Sequence, residues 1–144
     1  MFRKVLLCYD GTAEGRRALR EGGDVVLTMK SEAYLLAICQ SLVTSSIPEG
    51  VTPELARSED ERAQALLDEG VQWLTDRGIV AAGSLEYGNA VDCIAETAER
   101  IGADLIVVGH KHRTRLARWW SESEEESLLE RIRCSVLVAM APEE

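Results

Sequence analysis

The chain is 144 residues long, 46% hydrophobic, and carries 25 acidic against 16 basic residues, a net charge of −9. That length fits a single domain, residues 1–144, with apolar content enough for a core. So negative a balance argues against affinity for nucleic acid or anionic membrane, and no apolar run approaches the roughly 20 residues that span a bilayer.

The opening MFRKVLLCYDGT turns polar too soon for a secretory signal, which points to the cytoplasm, and it reads as a first strand. Val5–Tyr9 is apolar without alternation, the pattern of a strand buried on both faces, and it ends at Asp10-Gly11. Thr12 is placed to cap a helix whose inner face is Leu19, Gly22, Val26 and Met29. Gly22-Gly23 within it is read as either a tight packing point or a local irregularity, since each glycine costs about 1 kcal/mol against alanine. Tyr34–Cys39 is the second strand. Residues 40–53 are rich in turn formers and form the longest expected loop.

A helix is predicted over 54–77, with Ala63, Leu66, Leu67, Gly70, Val71 and Leu74 as its apolar stripe and Gly78 as its stop. Val80–Glu86 is a weaker strand. Asn89 caps a helix with Val91, Ile94, Ala95 and Ala98 inward, and Gly102 ends it. Asp104–Val108 is a second wholly apolar strand leading to Gly109. Leu128, Leu129 and Ile132 are the expected face of a short last helix, and Ser135–Met140 is the last strand. Strands alternating with helices imply an α/β fold with an open parallel sheet and helices on both faces. The two most apolar strands should be central and adjacent. Ligands of such sheets bind where the strand order reverses, outside the C-terminal strand ends, here between Asp10 and Gly109.

The four cysteines, Cys8, Cys39, Cys93 and Cys134, lack metal-site spacing and read as reduced, mostly buried thiols. His110 and His112 have no evident third ligand, so no metal is expected. No phosphate-binding G-x-x-x-x-G-K-[ST], no nucleophile elbow and no nucleophile–base spacing is present, so no catalytic residues are assigned.

Three segments, VLLCYDGT, GNAVDCIAETAERIGADLIVVGH and LLERIRCSVLVA, resemble the universal stress protein family over essentially the full length. The resemblance implies a Rossmann-like, adenine nucleotide alpha hydrolase-like sheet of five strands in the order 3-2-1-4-5, and a nucleotide cleft at the reversal. It also implies that the acidic residue ending the first strand, Asp10, contacts the nucleoside in relatives that bind one. From the residues alone, Asp10 reads as the organiser of the Asp10-Gly11-Thr12 turn, and the two roles are compatible. ATP-binding members carry G-x2-G-x9-G-[ST] after the fourth strand. In this register the first glycine is Gly109, the second falls on His112, the third on Glu122, and the hydroxyl residue is Ser123.

Glycine lets backbone N–H groups close on phosphate oxygens, and the last motif element sits at a helix N-terminus whose partial charge attracts anions. His112 adds bulk where none is wanted. Glu122, with Glu124, Glu125 and Glu126, puts carboxylates where phosphate would arrive. At a surface dielectric one like-charge contact at 4 Å opposes binding by up to about 4 kcal/mol before screening. Ser123-x-x-Glu126 also reads as a capping box.

Lys111, Arg113, Arg115 and Arg118 read either as a phosphate clamp or as a solvated run paired with the glutamates. Trp119 and Trp120 read as loop anchors or as stacking platforms. The expected function is a regulatory or interaction protein of stress response with weak or no ATP binding and no cofactor; the alternative is an ATP- or AMP-binding member using residues 111–118. Residues 135–140 would lie at the sheet edge and pair with a second copy, as the resemblance also implies, leaving room for a further protein partner.

Overall fold

The structure, a computed structural model, describes residues 2–39, 53–111 and 122–141. Among the described residues, nine elements alternate: β1 (Lys4–Tyr9), α1 (Ala13–Met29), β2 (Glu32–Cys39), α2 (Pro53–Asp76), β3 (Ala81–Tyr87), α3 (Ala90–Ile101), β4 (Leu105–Lys111), α4 (Glu122–Arg131) and β5 (Ser135–Ala141). All neighbouring strands pair in parallel, in the order β3-β2-β1-β4-β5. The fold class and the strand order are those expected from the sequence and its family resemblance. The expected loop at 40–53 lies outside the described residues except for Pro53, which opens α2.

β1 explains the two-layered cover. Val5, Leu7 and Tyr9 point to one face and Leu6 and Cys8 to the other, and all five are buried. A strand apolar on both sides must be roofed on both. Leu19 and Val26 of α1 and Leu74 of α2 close over the first set, while Val91 and Ile94 of α3 and Leu128 of α4 close over the second. Arg131 of α4 is ion-paired to Asp92 of α3, tying the second pair of helices together.

The helix ends are set locally. Thr12 Oγ1 accepts the Gly15 N–H at 3.1 Å, and Asn89 Oδ1 accepts the Asp92 N–H at 3.1 Å. Gly102 closes α3 at φ +71. Lys30 closes α1 in the same left-handed region, φ +54, where a side chain is disfavoured, with its N–H on the Val26 carbonyl. At the start of β1, the Asp104 carboxylate accepts the N–H groups of Arg3 at 2.8 Å and Lys4 at 3.0 Å. Desolvation pushes this carboxyl up, but those backbone donors outweigh it and hold it below its ordinary range.

Some expectations shift. Asp104 serves as that clamp rather than as a strand residue, and β4 instead runs on through Gly109 to Lys111, because β5 pairs with it that far, Lys111↔Ala141. Val80 stands before β3, exposed, rather than within it. Met29 lies at the surface, not on the buried face. A 17-residue helix is about 25 Å long and a six-residue strand about 20 Å, so the last turn of α1 overruns the sheet. Leu129 is 61% exposed because Leu128 takes the inward position and the next residue turns about 100° away. Ile132 lies just past α4 but still packs on the core.

The glycine pair in α1 is a packing point. A Cβ on Gly22 would overlap Leu7 Cδ2 and touch both Val107 methyls, and one on Gly23 would press on Ile79 and Trp73. Gly70 plays the same part in α2, where a Cβ would stand 2.6 Å from Leu35 Cδ2. Gly22→Ala should gain about 1 kcal/mol of helix propensity and lose more, about 1–3 kcal/mol, to overpacking. Chemical denaturation should therefore show a net loss of stability; a stabilised variant would mean that α1 can lift off the sheet.

Candidate functional site

The sheet opens where its order reverses. β1 pairs with β4 only from Val5↔Leu105 to Leu7↔Val107. Beyond that, β1 follows β2 to Tyr9↔Ala37, and β4 follows β5 to Lys111↔Ala141. The paired register of the two central strands thus ends at Leu7 and Val107, and the crevice that such a switch point forms lies beyond it. One wall is Cys8-Tyr9-Asp10, and the other is Val108-Gly109-His110. This is the position inferred from pattern, between Asp10 and Gly109. Gly109 is buried within β4 opposite Ala139, so it is a strand residue of the crevice wall and not the start of the loop.

Asp10 is held by the turn it makes. Its Oδ1 accepts the Thr12 N–H at 3.0 Å and the Thr12 hydroxyl at 2.5 Å. Gly11 supplies the positive φ, +82, that brings Thr12 round. Thr12 Oγ1 in turn caps α1, so one relay runs from the Gly15 N–H through Thr12 to the Asp10 carboxylate. A Cβ at Gly15 would lie 2.7 Å from Asp10 Oδ1, so only glycine lets the carboxylate rest against the first turn of α1. The positive end of that helix dipole already faces a protein anion.

Below it, the Tyr9 ring is buried and its hydroxyl donates to Glu69 Oε1 of α2 at 2.7 Å. Burial first, then Glu69, pushes the Tyr9 hydroxyl up to about 12, against the opposing pull of Arg16 of α1. Tyr9 therefore stays a neutral donor that links α1, β1 and α2 under the crevice. Neither partner was evident from sequence; the only signal was a tyrosine ending an apolar strand, whose polar tip needs a partner. Cys8 is completely buried, and burial first, then the nearby Asp10 and Cys93, drives its thiol far above its ordinary range. Cys93 is pushed up to about 11, chiefly by burial. None of these four cysteines forms a disulfide; Cys8 and Cys93 are buried and Cys39 and Cys134 half-buried, as small apolar residues would be.

On the other side of the crevice, α4 opens at Glu122. Ser123 thus falls within the first turn of α4, and the side chains on which the capping-box expectation turns lie outside the described residues. His112, Arg113, Arg115, Arg118, Trp119 and Trp120 lie outside the described residues, as do the side chains of His110, Lys111, Glu122 and Ser123. Of the five sequence-predicted site residues, the structure brings Asp10 and Gly109 to the two walls and puts Glu122 and Ser123 at the start of α4.

A fold of this order, with a crevice parting β1 from β4, defines a class that comparison with known proteins names. The model of the universal stress protein family matches residues 1–139. Universal stress protein Sll1654 of Synechocystis is 27% identical over 139 residues, 96% of this chain and 85% of that protein. The solved structure of the protein MJ0577 superposes with a TM-score of 0.78 at 23% identity, covering 100% of this chain and 99% of that one. A universal stress family protein of Arabidopsis thaliana, solved with AMP bound, superposes with a TM-score of 0.69 at 16% identity over 97% of this chain and 92% of that one. The chain belongs to the universal stress protein family.

The Asp10 relay makes a stability prediction. Asp10→Ala removes the acceptor of two hydrogen bonds, each worth about 1 kcal/mol net. Thermal melting should show a loss of about 1–2 kcal/mol, with Asp10→Asn losing less, because its amide oxygen can still accept. Equal losses in the two variants would mean that the charge at the α1 terminus, rather than the turn, is what Asp10 provides.

Proposed function

We propose that this universal stress protein is a regulatory or interaction dimer of stress response that binds ATP weakly or not at all and holds no cofactor. The observation that carries this reading is that the N-terminus of α1 beside the crevice is supplied with the protein's own carboxylate, while the sequence that opens α4 is acidic. Asp10 lies against the first turn of α1, and α4 begins with Glu122 and continues through Glu124, Glu125 and Glu126. Each carboxylate in a first turn gains about 0.3–1 kcal/mol from the dipole, so a phosphate must compete with anions already there. The substitutions His112 and Glu122 at two family glycine positions point the same way. No step of catalysis is proposed: Cys8 remains a thiol, Tyr9 a neutral phenol, and Asp10 is committed to its turn.

The second reading, ATP or AMP binding with residues 111–118 on the phosphates, draws its support from the crevice itself and from the AMP-bound Arabidopsis relative of the same fold. Melting with and without Mg-ATP separates the two, since a ligand at 100 times its dissociation constant adds about 2.7 kcal/mol. At millimolar Mg-ATP the shift should stay well short of that. Reversing both losses, His112→Gly with Glu122→Gly, should raise affinity at least about tenfold, which is about 1.4 kcal/mol by calorimetry. Tight ATP binding by the unaltered chain would defeat the first reading, and Arg113 and Arg115 would then be the residues to replace.

Dimerisation is proposed through residues 135–140. β5 closes one edge of the sheet, and Val138 and Met140 are 42% and 39% exposed along it. An unguarded apolar edge favours pairing, and a two-fold partner would add an antiparallel strand. Val136 packs on the core, so a charge there would damage the monomer, whereas Val138→Lys tests the edge alone. That variant should halve the assembled mass at a given concentration and strip amide-exchange protection from those amides of 136–140 that do not bond to β4. An unchanged mass would refute pairing at this edge. No described helix is long and apolar enough to cross a membrane, and a cytoplasmic setting with a further protein partner completes the proposal.

A further inference from the structure

The other end of the sheet carries a second face that the crevice and the β5 edge do not use. Between the C-terminal ends of α1 and α2 and the starts of β2 and β3 runs a groove of about 520 Å3. Its floor is apolar, from Val26, Ala33 and Ile79. Beside it project Leu27, 49% exposed, and Val80, 90% exposed. Next to Val80 begins β3, the second edge strand, where Ala82 and Gly83 are exposed and residues 80–83 hold neither charge nor proline to discourage pairing.

We propose that this face binds a second copy of the chain about a two-fold axis, Val80 of each copy seated in the groove of the other. Three observations select that occupant. A knob and a hole lie side by side on one surface, which two-fold association requires because each residue must meet the counterpart of its own partner. Val80 is β-branched, so seating it freezes little side-chain freedom. The charges are also self-complementary: the groove is lined by one cation, Lys30, and one anion, Glu32.

In a chain of net charge −9 that balance is local, and it spares this face the repulsion the rest of the surface would give a second copy. Glu32 is held at 3.4 Å by Lys4, but the pair is exposed and readily exchanged for a contact with the Lys30 of a partner copy. Lys30 itself sits in the left-handed region that glycine would occupy without strain. A lysine kept there fits a role for its side chain at the rim.

This interface is independent of pairing at β5 and the two are separable; with both in place, β5 dimers associate further into an assembly of about four copies. Full-length chains are compared by light scattering and sedimentation over a concentration series, with circular dichroism as the control for folding. Val138→Lys, with the β5 edge blocked, should still form a dimer through this face. Val80→Asp should halve the mass of the wild type, and the two together should leave a monomer. Lys30→Glu and Glu32→Lys, each placed in the Val138→Lys background, should weaken association at least about tenfold, about 1.4 kcal/mol. Combining them should restore it.

A monomeric Val138→Lys chain would overturn the proposal. So would association indifferent to Val80→Asp, or charge reversals that the combination does not rescue. A wild-type mass unchanged by Val138→Lys but halved by Val80→Asp would instead remove the β5 dimer and leave this one standing.

Discussion

The burial of β1 on both faces is the constraint from which the rest of the architecture follows. Five consecutive side chains, Val5 to Tyr9, leave water in alternate directions. One layer of helices can satisfy only half of them, so the chain must cross the sheet to cover the other half. Right-handed crossovers then place α1 and α2 on one side, α3 and α4 on the other, with β1 at the point where the order turns back. Because β1 must serve β2 and β4 at once, it stays with β2 to its end and releases β4 after Leu7. The crevice is therefore a consequence of core formation.

Helices can sit this close to the sheet only where side chains make way. Gly22 and Gly70 do so over Leu7 and Leu35, and Gly15 does so over Asp10. The same residues that pack the core thereby position the site: the approach of α1 that Gly22 permits is also what lets the Asp10 carboxylate lie on the first turn. Tyr9 extends the coupling to α2 through Glu69. The burial of its ring is matched by that hydrogen bond, which satisfies the one polar group the ring carries.

The electrostatic character of the site then comes from competition for helix termini. In a nucleotide-binding version of this fold, free N–H groups at a helix start would wait for phosphate. Here Thr12 takes the Gly15 amide, Asp10 braces Thr12, and α4 begins on glutamate. Among the described residues, the first turn of α1 thus has its dipole answered from within the chain. Exposed apolar side chains among the described residues stand at both edges of the sheet, Val80 before β3 and Val138 and Met140 on β5.

Much of this was legible in the sequence. The type and order of the elements, the caps Thr12 and Asn89, the stop at Gly102 and the apolar run of β1 follow from periodicity and from side chains bonding to backbone within a turn. Such interactions are local and do not depend on where the rest of the chain goes. The strand order came through family resemblance, not through pattern.

The register decided what local rules could not. Whether Gly109 lies in a strand or a loop depends on how far β5 runs beside β4. Whether Val80, Leu129 and Met29 face water depends on where a neighbouring element stops. The link from Tyr9 to Glu69 joins residues 60 apart in the chain, and the clamp of Asp104 on Arg3 joins residues 101 apart. Sequence alone determined which segments would fold and which faces they would bury, because that physics is written within a few residues. Only the tertiary structure decided where β1 and β4 part, what holds Asp10, and which apolar side chains are left outside, because these are set by contacts that exist only once the sheet has closed its pairing.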